Sequence, residues 1–269
     1  MKPYHLFLIF TPLVIIFGFS FEVLDNNSTP TISKGKVFKD NLLELPLTLK
    51  GEKVIYHHAY SLVYNEEHEQ AKWVAYVLNK KELSGTISRE DNFREDPSVK
   101  SGTACNSDYL KCGYDRGHLA PAADMKWSEK AMSESFFYSN MSPQLAAFNR
   151  GIWKKLEEKV RDWALENDSV LIVTGPILTS KNCSKKETIG QNVVTVPEYY
   201  YKAILDFKKD KSKSIAFILP NQGSKLPLQN FVVSIDYLEK FSEIDFFYKL
   251  NDTQENKVEA TVCKSCWSW

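Results

Sequence analysis

Nine residues decide the reading of this chain: Gly113-Tyr114-Asp115-Arg116-Gly117-His118-Leu119-Ala120-Pro121. They place an acid, a fixed cation and an imidazole within four positions, just ahead of a proline-containing turn. Arg116 carries a planar guanidinium suited to two-point contact with phosphate oxygens. His118 is the last histidine in the chain. An imidazole with a reference pKa of about 6.5 is largely neutral near pH 7 and can take a proton from water.

A second group follows at Asn140-Met141-Ser142-Pro143-Gln144 and continues through Asn149, Trp153 and Glu157. Leu145, Phe148, Ile152, Trp153, Leu156, Val160, Trp163 and Ala164 recur at three- and four-residue steps. That period predicts one amphipathic helix over Ser142–Asn167, with Ser142-Pro143 as its N-cap and first turn. On such a helix Asn149, Trp153 and Glu157 share a stripe, and Glu157 stands roughly 12 Å along the axis from Asn149. Asn149 and Glu157 are the polar members of that stripe. The plain alternatives are a solvent-facing Asn149 and a Glu157 that merely joins the charged face of Lys154, Lys155 and Glu158.

Runs rich in β-branched and aromatic residues predict strands at Val54 to Tyr64, Trp73 to Leu78, Val170 to Thr174, Tyr199 to Phe207, Ile215 to Leu219 and Phe231 to Ser234. They do not alternate regularly with helices, so the fold class expected is α+β, a central mainly antiparallel sheet flanked by helices. His57 and His58 fall in a predicted strand and read as structural. The triplet Tyr199 to Tyr201 reads as core, although aromatic rings can also stack bases.

The whole region from about Tyr56 to Ser234 resembles the DNA/RNA non-specific endonucleases of the ββα-metal (His-Me finger) class, which includes secreted bacterial nucleases and mitochondrial endonuclease G. The resemblance rests on D-R-G-H at Asp115 to His118 and on N-x-x-P-Q-x-x-x-x-N-x-x-x-W at Asn140 to Trp153, with Glu157 following. Ala122-Ala123-Asp124-Met125 joins the two, and Ser88-Arg89 and Phe93-Arg94-Glu95-Asp96-Pro97 precede them. It implies an enzyme that hydrolyses phosphodiester bonds in both DNA and RNA, with His118 as the base acting on water. It implies Mg²⁺, for which Mn²⁺ is a substitute, held by Asn149 directly and by Glu157 through water. By the same resemblance the leaving 3′ oxygen is protonated from the ion's hydration shell, giving 5′-phosphate ends. Arg89 and Arg116 match arginines near the scissile phosphate, Asn140 matches a position that helps hold the site, and Asp115 positions the loop or its neighbours. Arg94 stands close enough in sequence to compete with Arg89 for its role. Homodimers are common in the family, and this sequence neither requires nor forbids one. Other readings left open are a nuclease confined to one nucleic acid, a metal-dependent phosphodiesterase with another substrate, and a catalytically silent nucleic-acid-binding module.

Charge does not announce this chemistry. In 269 residues Lys+Arg 34 balances Asp+Glu 34, so any attraction to a polyanion must come from a local constellation. The N-terminus does carry a signal: Lys2, an uncharged apolar run from Leu6 to Phe21, then Glu22 and a polar segment. This reads as a secretory leader over residues 1–21, directing the protein to the periplasm or the medium; a retained membrane anchor is the alternative. Residues 22–52 read as a linker and 53–269 as the nuclease domain, with no membrane partner expected beyond the N-terminal segment. Five cysteines, Cys105, Cys112, Cys183, Cys263 and Cys266, permit disulfides in an oxidising compartment but leave one unpaired. Cys263 and Cys266 are read as a disulfide rather than as a zinc or redox motif, because no second C-x-x-C accompanies them.

Overall fold

The computed structural model describes residues 42–178, 187–208 and 211–269. The leader and Cys183 lie outside the described residues. Among those described, no helix is long and apolar enough to cross a membrane.

The chain forms β1 (Val54–Tyr56), β2 (Ser61–Asn65), β3 (Gln70–Asn79), α1 (Asn106–Tyr109), β4 (Asp115–His118), α2 (Glu129–Glu134), β5 (Met141–Gln144), α3 (Lys154–Asn167) and β6 (Ser169–Pro176). It continues through β7 (Glu187–Ile189), β8 (Val194–Val196), β9 (Tyr199–Asp206), β10 (Lys213–Pro220), β11 (Val232–Val233), α4 (Ile235–Ser242) and α5 (Asp252–Ala260). Seven strands make one sheet in the order β1-β2-β3-β6-β9-β10-β11. Every neighbouring pair is antiparallel, so the α+β expectation holds.

Both faces of this sheet are covered, which explains why its central strands are apolar on both sides. Side chains alternate across a strand. Val74, Tyr76 and Leu78 of β3 therefore meet Trp153, Leu156, Val160 and Trp163 on one face. Trp73 and Ala75 join Ile235 and Leu238 of α4, Phe246 and Phe247 of the connection after it, and Val258 of α5 on the other. The stretch 42–52, expected as the end of a linker, lies against this second face. Leu45 is buried there, Leu47 N–H donates to Asp245 O at 2.9 Å and Lys72 pairs with Glu52 at 2.6 Å.

Three elements differ from the sequence expectation, each for a physical reason. The run from Val54 to Tyr64 is a hairpin rather than one strand: His57 N–H donates to Tyr60 O at 2.8 Å and closes a turn. His57 thus sits in a turn, where its Nε2 lies 2.9 Å from Asp96 Oδ2, and His58 N–H donates to Glu134 Oε2 at 2.6 Å. The predicted helix over Ser142–Asn167 begins late, because residues 141–144 pair with β4 instead. Pro143 lacks an N–H to give and is tolerated in this two-stranded ribbon. Residues Phe148–Trp153 form a wide helical turn with a non-helical Gly151 at φ −108°, ψ −109°, and regular helix starts only at Lys154. Beyond Val232–Val233 the chain turns into α4, whose N-cap Ser234 accepts from Tyr237 N–H.

Candidate active site

The site is built on the ribbon of β4 and β5. Asp115 faces Gln144, Arg116 faces Pro143, Gly117 faces Ser142 and His118 faces Met141. Buried bonds lock the ribbon to the main sheet. Ser142 Oγ donates to Gln70 Oε1 at 2.5 Å, while Tyr200 Oη and Asn221 Nδ2 donate to Pro143 O at 2.8 and 3.1 Å. Tyr200 and Tyr201 are fully buried, so the aromatic triplet serves the core. Gly117 is required by close approach: a Cβ there would lie 2.2 Å from the Gln144 side chain.

Asn140 fixes the backbone immediately after His118. It is fully buried, its Oδ1 accepts from Ala120 N–H at 2.9 Å, and its Nδ2 donates to Ala120 O and Ser135 O at 2.9 and 2.8 Å. With its amide committed in this way it holds the turn rather than reaching for a substrate.

His118 is 9% exposed and its Nε2 has no hydrogen-bond partner. Phe136 and Phe93 stand edge-on to its ring at 5.0 and 5.8 Å. Burial, then the charges of Arg89 and Arg116, lower its pKa to about 3. The imidazole is therefore a free base across the physiological range. Arg116 lies with Cζ 4.1 Å over the Phe93 ring and donates to Asn106 Oδ1 at 2.9 Å. Arg89 lies with Cζ 4.9 Å from the centroid of Phe136, the ring that also meets His118, and pairs with Asp91 at 2.6 Å. Arg94 is occupied otherwise: it donates to Asn92 O, Ser133 O and Ser133 Oγ and covers Phe137. Two guanidinium groups thus act on one neutral imidazole.

At the other end of β4, Asp115 gathers two donors from the turn before α3. Arg150 grips it twice, Nη2 to Oδ1 at 2.6 Å and Nε to Oδ2 at 2.8 Å, and Asn149 Nδ2 donates to Oδ2 at 2.9 Å. Burial pushes the Asp115 carboxyl up, but the bonds from Arg150 and Asn149 outweigh it and hold the group below the usual range. An ionised carboxylate only accepts, so it fixes which end of the Asn149 amide faces it. The amide nitrogen is spent on Asp115, and Oδ1 is the end left to serve a cation. Asp115 and His118 are three residues apart on one strand, roughly 10 Å by the rise of an extended chain. A hard neutral oxygen oriented by an ionised carboxylate, on the ribbon that also carries a neutral imidazole, fits a hydrated divalent ion that binds by few protein ligands.

Glu157 is placed differently from the regular-helix expectation. Gly151 interrupts the spacing that would align it with Asn149, and its charged neighbours are Lys202, Asp124 and Arg161. Burial pushes its carboxyl up, and Lys202 opposes this. Arg161 pairs with Asp124 at 2.9 Å, Tyr76 Oη donates to Asp124 Oδ2 at 2.9 Å, and the fully buried Lys202 lies with Nζ 4.8 Å over the Trp153 ring. The structure thus brings His118, Arg116 and Arg89 together, joins Asp115 to Asn149, and sets Glu157 in a buried charge network behind the turn that carries Asn149. Sequence reasoning missed Arg150, Phe136 and Lys202. Lys202 had a signal, a lone cation inside the apolar run of β9; Phe136 and Arg150 had none.

Comparison with known proteins agrees with this geometry. Residues 40–253 match the family described as DNA/RNA non-specific endonuclease. The chain belongs to that family. It is 38% identical over 217 residues to Nuclease EXOG, mitochondrial, of Danio rerio, covering 76% of this chain and 63% of the fish protein. Nuclease C1 of Cunninghamella echinulata var. echinulata is 38% identical over 219 residues, 76% of this chain and 87% of the fungal one. Endonuclease G, mitochondrial, of Homo sapiens is 35% identical over 199 residues, 70% of this chain and 67% of the human one. A crystal structure of an EndoG/EndoGI complex superposes with TM-score 0.69 at 31% identity, covering 75% of this chain and 88% of that one. The fold of this non-specific endonuclease family member is accordingly that of the ββα-metal nucleases. The chain spans 63% of the length of the fish relative.

Proposed function

We propose that this protein is a Mg²⁺-dependent, sugar-non-specific endonuclease that hydrolyses DNA and RNA and leaves 5′-phosphate ends. The observation that carries this reading is the neutral imidazole of His118 beside two arginines, on the strand whose Asp115 orients Asn149. Hydrolysis needs a base for water, charge neutralisation at the phosphoryl oxygens and help for the leaving group. His118, unprotonated through burial, takes the proton from the attacking water. Arg116 and Arg89 offset the charge that grows on the phosphoryl oxygens. Asn140 keeps the turn after His118 in place. Asn149 would hold the ion directly, with Asp115 presenting the Asn149 oxygen, and Glu157, buffered by Lys202 and Arg161, would take part through water. Mg²⁺ or Mn²⁺ held there would supply charge neutralisation at the phosphate and acid assistance to the leaving 3′ oxygen.

Nothing in this scheme uses a 2′ hydroxyl, so the sugar does not decide the outcome. The proposal includes export by the leader, supported by the Cys263–Cys266 disulfide, a bond suited to an oxidising compartment. Incubating the purified protein with supercoiled plasmid, single-stranded DNA and RNA tests the reading. All three are expected to be cut with Mg²⁺ present and none with excess chelator. Cleavage that survives chelation, or of RNA alone, would refute it.

A further inference from the structure

A second group of charges lies on the opposite face of the sheet from α3. Asp236 and Glu239 stand three residues apart on α4, and Glu259 comes from the last turn of α5. One carboxylate oxygen of each lies within 4.8 Å of the other two. Glu259 is 7% exposed, and its Oε1 has no hydrogen-bond partner. A buried carboxylate oxygen left unpaired is unfavourable, and one facing two further carboxylates is more so. Position adds to this: Glu259 sits where the free carbonyls of a helix C-terminus already gather negative charge.

The surroundings do not relieve it. Burial acts first on Glu259, followed by Glu239, Glu255, Asp236 and Asp245, and together they raise its pKa to about 8. Glu239 is raised to about 7 by burial, with Asp245, Asp236 and Glu255 adding to it; the N–H of Phe246, donating to its Oε1 at 2.8 Å, works against the rise. Such a cage is relieved by a shared proton or by a cation placed between its oxygens. Oxygens on opposite sides of one Ca²⁺ ion, each at about 2.4 Å, stand about 4.8 Å apart. Three carboxylates from two helices also suit Ca²⁺, which accepts flexible all-protein cages, better than Mg²⁺, which keeps its waters.

We propose that Asp236, Glu239 and Glu259 bind a Ca²⁺-class divalent cation that clamps α4 to α5. This is a structural ion, separate from the one at Asn149. Through α5 it steadies the C-terminal segment, where Trp267 packs on Trp163 of α3 at 4.7 Å.

The test uses the full chain carrying Asn149→Ala, so that the catalytic ion does not contribute, stripped with chelator and titrated with Ca²⁺ alone. Thermal unfolding and calorimetry are read without nucleic acid. The unfolding midpoint should rise by roughly 5 °C or more at a hundredfold excess over the dissociation constant. Calorimetry should give one ion per chain. Adding Glu259→Gln should abolish both responses and, above pH 8 where the Glu259 carboxyl is ionised, raise the midpoint in chelator. Asp236→Asn, at a partly exposed position, should weaken binding about tenfold and gives a second reading should Glu259→Gln fold poorly. A Ca²⁺ response that persists in both variants overturns the proposal. So does a parent protein with neither heat nor shift, which would mean that shared protons hold the carboxyl groups together.

Discussion

Replacing His118 by alanine is expected to lower kcat on DNA and on RNA by about a thousandfold, within the span usual for loss of a general base. The fall should be in kcat more than in KM, because in the proposed mechanism the imidazole acts on water while Arg116 and Arg89 hold the phosphate. The variant should still fold: His118 Nε2 makes no hydrogen bond, and its aromatic contacts with Phe93 and Phe136 are edge-to-face. Its acid behaviour should change in a defined direction. A histidine whose folded pKa is about 3, against about 6.5 unfolded, stabilises the fold fully above pH 6.5, and that contribution is lost as pH falls toward 3. Urea unfolding of wild type should therefore show a loss of stability between pH 6.5 and 3 that His118→Ala lacks in part. Cleavage within tenfold of wild type would remove His118 from the mechanism.

The second large effect is expected at the other end of the same strand. Asn149→Ala removes the amide oxygen oriented by Asp115 and should lower activity by on the order of a hundredfold or more, as loss of a direct ligand to a catalytic ion does. Asp115→Asn should act more gently and differently. An amide in place of the carboxylate no longer dictates which end of Asn149 faces it, and it gives up the double contact with Arg150. The apparent affinity for Mg²⁺ should then drop by about 10 to 100-fold, the range for groups that orient a metal ligand, with activity recovering as Mg²⁺ is raised. Asn149→Ala should not recover in this way. Equal recovery of both variants would show that Asn149 holds no ion. Unchanged Mg²⁺ dependence in Asp115→Asn would show that the carboxylate does not orient the amide.

Much of this was legible in the residues alone. The antiparallel strands follow from β-branched and aromatic runs, and the apolar period from Leu156 to Ala164 does mark α3. The D-R-G-H run located the imidazole and Arg116 because its chemistry is dense and local. What failed was the start of the helix. Residues 141–144 have no strand-like alternation, and their conformation is dictated by pairing with β4 and by Tyr200 and Asn221 reaching Pro143, contacts 57 and 78 residues distant in sequence. Gly151 likewise breaks a period that the apolar residues on either side continue in sequence. Arg150 was invisible for a plainer reason: an exposed arginine on a helical segment is ordinary until the fold lays Asp115 beside it. The geometry also separates Arg89 from Arg94, which their closeness in sequence could not do. The acidic cage of α4 and α5 was hidden because neither helix was foreseen.

The most direct measurement is of the ends left on the cleaved strands. Because an imidazole-activated water, and not the sugar, is assigned as nucleophile, limit fragments of a DNA and an RNA of matched sequence should both carry 5′-phosphate and 3′-hydroxyl termini. Fragments of RNA ending in a 2′,3′-cyclic phosphate, with the DNA left whole, would contradict it.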